Sequence, residues 1–88
     1  MSVYVYIIES LKDRSYYIGS SEDPYKRLDN HNSGISKYTS KKMPWKLVYY
    51  EEHEDINKAR KREHFLKRQK NREFYKKLII KFQRDLEL

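Results

Sequence analysis

The chain has no cysteine, and of its 88 residues only two are glycine, two proline and three histidine. Without cysteine there is no disulfide frame and no thiolate metal site. Three scattered histidines with no close pairing fit a structural zinc site poorly. So little glycine and proline argues against a disordered or low-complexity chain. Long apolar runs are missing too. The longest, Val3 to Ile8, is far too short for a bilayer span and lacks the basic lead of a signal peptide. The expectation is a cytoplasmic protein with no membrane association. Apolar residues are scarce at 38%, and a chain this short buries only about 60–65% of its unfolded surface. There is room for one domain, residues 1–88, with an economical core. Nine tyrosines bring the aromatic content to 15%, and large rings cover much area per residue.

Acidic residues are also few, and their distribution matters more than the total. The net charge is +7; residues 57–88 hold 12 Lys/Arg against 4 Asp/Glu, while residues 1–56 hold 8 against 9. The positive excess therefore sits in the C-terminal third. Such a surface suits nucleic acid, because neutralising phosphates releases counterions. Charge alone weighs evenly between that and an ordinary solvated helix face.

Val3 to Glu9 is β-branched and aromatic, bounded by polar residues, and reads as a strand buried on both faces. Ser10 to Ser15 is turn-rich, and Tyr16 to Ser20 returns as a second strand, forming a hairpin. Tyr6 and Tyr17 lie near each other across it; whether they share a face depends on register, which remains open here. Asp23-Pro24 is a helix start with Asp23 as cap, and Gly34 is the stop. Tyr25 and Leu28 give that helix a modest inward stripe, and Arg27 and His31, four apart, share one of its faces. Ser36 to Lys42 reads as an exposed loop.

Trp45 to His53 alternates as a third strand, with Trp45, Leu47 and Tyr49 on one face and Val48 and Tyr50 on the other. Asp55 opens a helix whose inward positions are Ile56, Ala59 and Leu66, with Glu63 interrupting the stripe. An acid placed there should be neutralised by something. Asn71 caps a last helix with inward rows Phe74, Leu78, Phe82 and Tyr75, Ile79, Leu86. The expected fold is α+β, order β-β-α-β-α-α: a three-stranded, mostly antiparallel sheet covered by helices.

Within this frame one ordered set of residues stands out. Tyr4-Val5-Tyr6 is followed after ten residues by Tyr17-Ile18-Gly19, then by Arg27 and His31. Phenol, guanidinium and imidazole converging on one spot suit phosphodiester cleavage better than they suit a core. The pattern resembles the GIY-YIG nuclease family, in which the first tripeptide varies and the second is usually Tyr, a small aliphatic residue and Gly. The likeness runs on through Gly34, the strand from Trp45 to Tyr50, and Glu63. It spans nearly the whole chain and points to the small, stand-alone bacterial branch, which is also similar to the catalytic part of structure-specific DNA repair nucleases.

The resemblance implies a metal-dependent DNA endonuclease. Glu63 corresponds to the family's metal ligand, for Mg2+ or Mn2+, and one carboxylate suffices because Mg2+ keeps water and phosphate in its other positions. Arg27, eight residues after Gly19 as the motif requires, would grip phosphate oxygens with its planar fork. His31 would relay a proton or hydrogen-bond the phosphate. Tyr6 and Tyr17 are the candidate bases and water-positioning groups. A phenol is a poor base at neutral pH, and a metal ion and Arg27 nearby would favour the phenolate. Gly19 would let backbone or substrate approach closely.

The sequence departs from the pattern at Ser20, where some members carry lysine, and at Asn71, where a late family asparagine here suits a helix cap. Further contacts to the phosphate backbone would come from Lys37, Lys41, Lys42, Arg60, Lys67, Lys70 and Arg72. No sequence-reading element is visible. The expected substrate is therefore branched or damaged DNA, with a protein partner as a source of specificity. The alternative is a nucleic-acid-binding module of the same fold with weak or no cleavage. A basic amphipathic protein lying on anionic membranes ranks lowest, because its inward rows read as core.

Overall fold

A computed structural model describes residues 2–87. The element order is β1 (Val3–Ser10), β2 (Tyr16–Ser21), α1 (Pro24–Asn32), α2 (Lys37–Ser40), β3 (Trp45–His53), α3 (Ile56–Gln69) and α4 (Arg72–Leu86). β1 is the middle strand of an antiparallel sheet ordered β2-β1-β3. This central place explains its unbroken apolar run: Val5, Tyr6, Ile7 and Ile8 are all 0% exposed. Strand alternation then divides the core into two. Val3, Val5 and Ile7 pack with Ile18, Ala59, Leu66, Tyr75 and Ile79 beneath α3 and α4. Tyr6 and Ile8 pack with Trp45, Tyr17, Leu28, Met43, Leu47 and Tyr50 on the α1 face.

The helix caps follow from local chemistry. The Asp23 carboxylate accepts from the N–H groups of Tyr25 and Lys26, with Pro24 at the first helical position. Asn71 caps α4 by accepting from Glu73 and Phe74. Gly34, at φ +81°, follows the end of α1 in the left-handed region that glycine enters freely. α3 ends instead on Lys70 at φ 45°.

Five local expectations fail. Ile56, expected on the inward stripe of α3, is 42% exposed at the first position of that helix. A bulge between Ile7 and Ile8 shifts the β1–β3 register, pairing Ile7 with Tyr49 but Ile8 with Leu47. Val48 and Tyr49 therefore both turn to the α4 side, while Tyr50 joins Trp45 and Leu47 on the other. The segment expected as an exposed loop contains the single turn α2, whose Thr39 is fully buried. Tyr25 is 61% exposed because the inward face of α1 is carried by Leu28 and His31. Leu86 is 64% exposed, so in the row Tyr75, Ile79, Leu86 only the first two are buried.

Candidate active site

The pairing of β1 with β2 sets Tyr6 opposite Gly19 and Ile8 opposite Tyr17. Tyr6, Tyr17 and Gly19 therefore share the α1 face, which resolves the register left open above. Gly19 has a steric reason. A Cβ there would lie 2.6 Å from Tyr6 Oη and 2.8 Å from Cζ. The close approach that the structure shows is made by the Tyr6 side chain.

α1 lays His31 across the two tyrosines. Its Nε2 shares a 3.0 Å hydrogen bond with Tyr6 Oη, and its Nδ1 shares one of 2.9 Å with Thr39 Oγ1. The ring also meets Tyr17 edge-on at 4.9 Å between centroids. Burial, and then the Arg27 charge, push the His31 pKa below its ordinary value. The imidazole is therefore neutral near pH 7, with one nitrogen donating and one accepting. Thr39 is held by the fold: its carbonyl accepts from Trp45 Nε1 at 2.9 Å, and Asn32 brackets the Trp45 backbone with two bonds of 2.6 and 3.0 Å. These supporting residues carry no pattern in the sequence, because their partners are fixed only by tertiary packing.

Tyr6 is completely buried. Burial raises its pKa, and the favourable effect of the Arg27 guanidinium beside it does not compensate; Tyr17 and Glu63 push the same way as burial. Arg27 does favour the Tyr6 phenolate, as expected, but losing solvent costs the anion more than one exposed cation returns. Tyr17 is the accessible phenol, half-buried at the head of a groove.

Glu63 arrives from the other face. α3 packs against β1 and β2 on the side opposite α1, and Glu63 comes up under the edge strand β2. Its Oε1 accepts from Ser20 Oγ at 2.6 Å, and its Oε2 pairs with Lys67 Nζ at 2.7 Å. Burial alone would raise this carboxyl. Hydrogen bonds from Lys67 and Ser20, with the charges of Lys67 and His64, outweigh it and hold the pKa below the usual range. Lys67 is the group that neutralises the acid in the apolar stripe.

The five residues do not line one cavity. Arg27 and His31, with Asn30, Ile35 and Ser36, line a depression of about 90 Å³. A larger groove of about 410 Å³ is lined by Tyr16, Tyr17, Ile18, Tyr38, Lys67 and Tyr75. Because Tyr17 belongs to one sheet face and Lys67 and Tyr75 to the other, this groove wraps the outer edge of β2. Only one strand separates the Glu63 side from the Tyr6–Arg27 side, and at Gly19 that strand has no side chain.

Among the described residues no three His, Asp or Glu side chains gather as a metal cage. The donor set is one ionised carboxylate, oriented by a hydroxyl and facing a displaceable ammonium that is 48% exposed. That fits a hard divalent cation keeping most of its water, and not zinc.

The candidate phosphate contacts divide into two groups. Lys42 lies 3.6 Å from Asp13, Lys67 is held by Glu63, and Arg72 sits 3.9 Å from Glu9 and 4.5 Å above the Tyr16 ring. Lys70 caps α3, with its N–H donating to Tyr75 Oη. Among the described residues Lys37, Lys41, Arg60 and Lys70 make no side-chain ion pair.

The model of the GIY-YIG catalytic domain matches residues 2–77, the span that contains every residue of the site. The chain belongs to the GIY-YIG family. It is 42% identical over 66 residues to a UPF0213 protein of Clostridium perfringens, covering 74% of this chain and 70% of that one. To a UPF0213 protein of Streptococcus pneumoniae it is 43% identical over 68 residues, 76% of this chain and 68% of the other. It also resembles the solution NMR structure of a UPF0213 protein from Bacillus halodurans, at 34% identity and a TM-score of 0.55, over 90% of this chain and 83% of that one. The three-stranded antiparallel sheet with its helices is thus the GIY-YIG fold, in the version found in small bacterial UPF0213 proteins. Among the described residues no helix is long and apolar enough to cross a membrane.

Proposed function

We propose that the protein is a divalent-metal-dependent endonuclease that hydrolyses phosphodiester bonds in DNA and selects its target by structure rather than sequence. The observation that supports this most directly is the gathering of these side chains around the edge strand β2. Tyr17, Tyr6, His31 and Arg27 come from one sheet face, and Glu63, bonded to the neighbouring Ser20, comes from the other.

Arg27, exposed and permanently charged, binds the non-bridging oxygens of the scissile phosphate. Tyr17 lines the groove; in its phenolate form it orients the attacking water and accepts its proton as the new P–O bond forms, and the oxygen of the broken P–O bond leaves with a proton taken from solvent. Tyr6 and His31, both buried, act as positioning residues. Their hydrogen-bonded chain to Thr39 fixes the imidazole against the Tyr17 ring. Glu63 would hold the metal ion, Mg2+ or Mn2+. When bound there, the ion supplies positive charge against the charge that develops on the phosphate. Lys37, Lys41, Arg60 and Lys70 attract the flanking backbone. The proposed setting is the cytoplasm, on branched or damaged DNA, with a protein partner adding specificity.

One observation favours the second reading, a binding module with little cleavage: both Glu63 oxygens are already engaged by the chain's own groups. The two readings separate in a single experiment. The purified protein is incubated with nicked, branched and single-stranded DNA, with and without Mg2+ or Mn2+. Cutting that falls about 10²–10³-fold in Arg27→Ala, the range for losing one preorganised charge donor, and vanishes in Glu63→Gln but persists in Lys42→Ala supports the enzyme. Binding without cutting in either metal supports the module.

A further inference from the structure

The groove along β2 extends past the two residues that the proposed phosphate chemistry uses, Tyr17 and the Glu63 partner Lys67. It is lined by Tyr16, Tyr17, Ile18, Tyr38, Lys67 and Tyr75, with a volume of about 410 Å³. That lies in the range of sites that enclose a small organic group. Four of its six lining residues are tyrosines, and they are not equivalent. Tyr75 donates to the Leu66 carbonyl at 2.5 Å and meets Tyr16 edge-on, while Arg72 covers the Tyr16 ring. Those two rings are wall. Tyr38, on α2, is 70% exposed. It stands 6.0 Å from Tyr17 at a tilt of 46°, so the two rings do not stack on each other, and it lines the groove. The site therefore has a free aromatic platform next to the phenol assigned to the attacking water, with the Lys67 ammonium on its border.

We propose that this groove seats one unpaired nucleobase beside the scissile phosphate, stacked on Tyr38, so that the substrate is a single-stranded or locally unpaired stretch and not continuous duplex. The inference rests on the nuclease reading. A base held inside duplex DNA cannot enter a groove on a protein edge without leaving its stack, whereas an unpaired one can. Aromatic stacking accepts any base, which agrees with the absence of a sequence-reading element among the described residues.

The test is binding and cutting by wild type, Tyr38→Phe and Tyr38→Ala, each first shown by thermal melting to be folded. The probe is a single-stranded oligonucleotide carrying 2-aminopurine, compared with its duplex, with binding measured in EDTA by anisotropy and base fluorescence. Tyr38→Ala should weaken single-strand binding about ten-fold, as expected for one lost stack, and abolish the fluorescence quenching. Tyr38→Phe should retain both, and duplex binding should not change. Equal losses for both DNAs would make Tyr38 a backbone contact and overturn the proposal. No loss for either would also overturn it, leaving the groove to other occupants such as a peptide strand added to β2. Adding Mg2+ separates the two ideas: stacking without cutting on any DNA refutes the nuclease reading alone, and cutting without stacking refutes the base seat alone.

Discussion

The substitution Gly19→Ala adds a single methyl, and its cost can be worked out from the surroundings of the residue. The new Cβ would stand 2.6 Å from Tyr6 Oη, 2.8 Å from Cζ and 3.1 Å from Cε2, so the phenol would have to retreat by nearly an ångström. It has little room to do so. The Tyr6 ring is 0% exposed, its hydroxyl is tied to His31 at 3.0 Å, and its strand is the middle one of three. Overpacking of this kind costs about 1–3 kcal/mol. For a chain of this size that is a fall in melting temperature of roughly 5–20 °C.

Urea unfolding of wild type, Gly19→Ala, Tyr6→Phe and the double variant isolates the contact. Tyr6→Phe deletes the hydroxyl but leaves His31 Nε2 without its buried partner, at a cost of about 1–3 kcal/mol. Because the worst overlap disappears in that background, the double variant should lose less than the two singles added together, by about 0.5–2 kcal/mol. A Gly19→Ala protein within about 0.5 kcal/mol of wild type, or strict additivity in the cycle, would refute this account of the motif glycine. The glycine would then have to be explained by what the substrate needs.

His31 makes stability depend on pH. Its folded pKa lies below the ordinary value because of burial and Arg27, so below about pH 6.5 the unfolded chain takes up a proton that the folded one refuses. Stability should fall from pH 7 to pH 5, and His31→Gln should flatten that slope in urea midpoints; parallel slopes would refute it. Lys70→Gly relieves a left-handed residue at φ 45° and should stabilise by about 0.5–1 kcal/mol in the same assay, whereas a loss would mean that the lysine side chain packs usefully. Chelation with EDTA should leave the melting temperature within about 1 °C, because Lys67 and Ser20 already satisfy Glu63. A large drop would show a structural ion instead.

What the sequence made legible was local. Helix starts at Asp23, Asp55 and Asn71 could be read because a capping side chain and the N–H groups it serves lie within three residues of one another. β1 was legible as a doubly buried strand because a central strand has no polar face to show. The bulge was not. Val48, Tyr49 and Tyr50 can each be buried on either side, so no polarity marks where the alternation slips. α2 was hidden for a related reason. Lys37–Ser40 is polar throughout, and the turn is held by distant partners, Thr39 to His31 and Trp45 Nε1 to the Thr39 carbonyl.

The candidate site shows the same division more sharply. The motif residues were visible because the order and spacing of Tyr6, Tyr17, Gly19, Arg27 and His31 resemble the GIY-YIG pattern. Their ranking was not, since exposure decides it: two neighbouring strands each offer a tyrosine, yet Tyr6 is sealed under His31 while Tyr17 opens on the groove. Glu63 is the instructive case. An acid between Ala59 and Leu66 looks like a defect in a core stripe, and the sequence can say only that something must answer it. The fold answers by setting that turn of α3 beneath the outermost strand, where Ser20 gives a hydroxyl and Lys67, one turn further on, reaches back with its ammonium. A position that would be ruinous under β1 is tolerable under β2, because β2 is the edge of the sheet and the Glu63 side chain keeps 18% of its surface exposed there. Glu63 thus reaches Ser20 from one face, while from the other the Tyr6 phenol fills the space over Gly19.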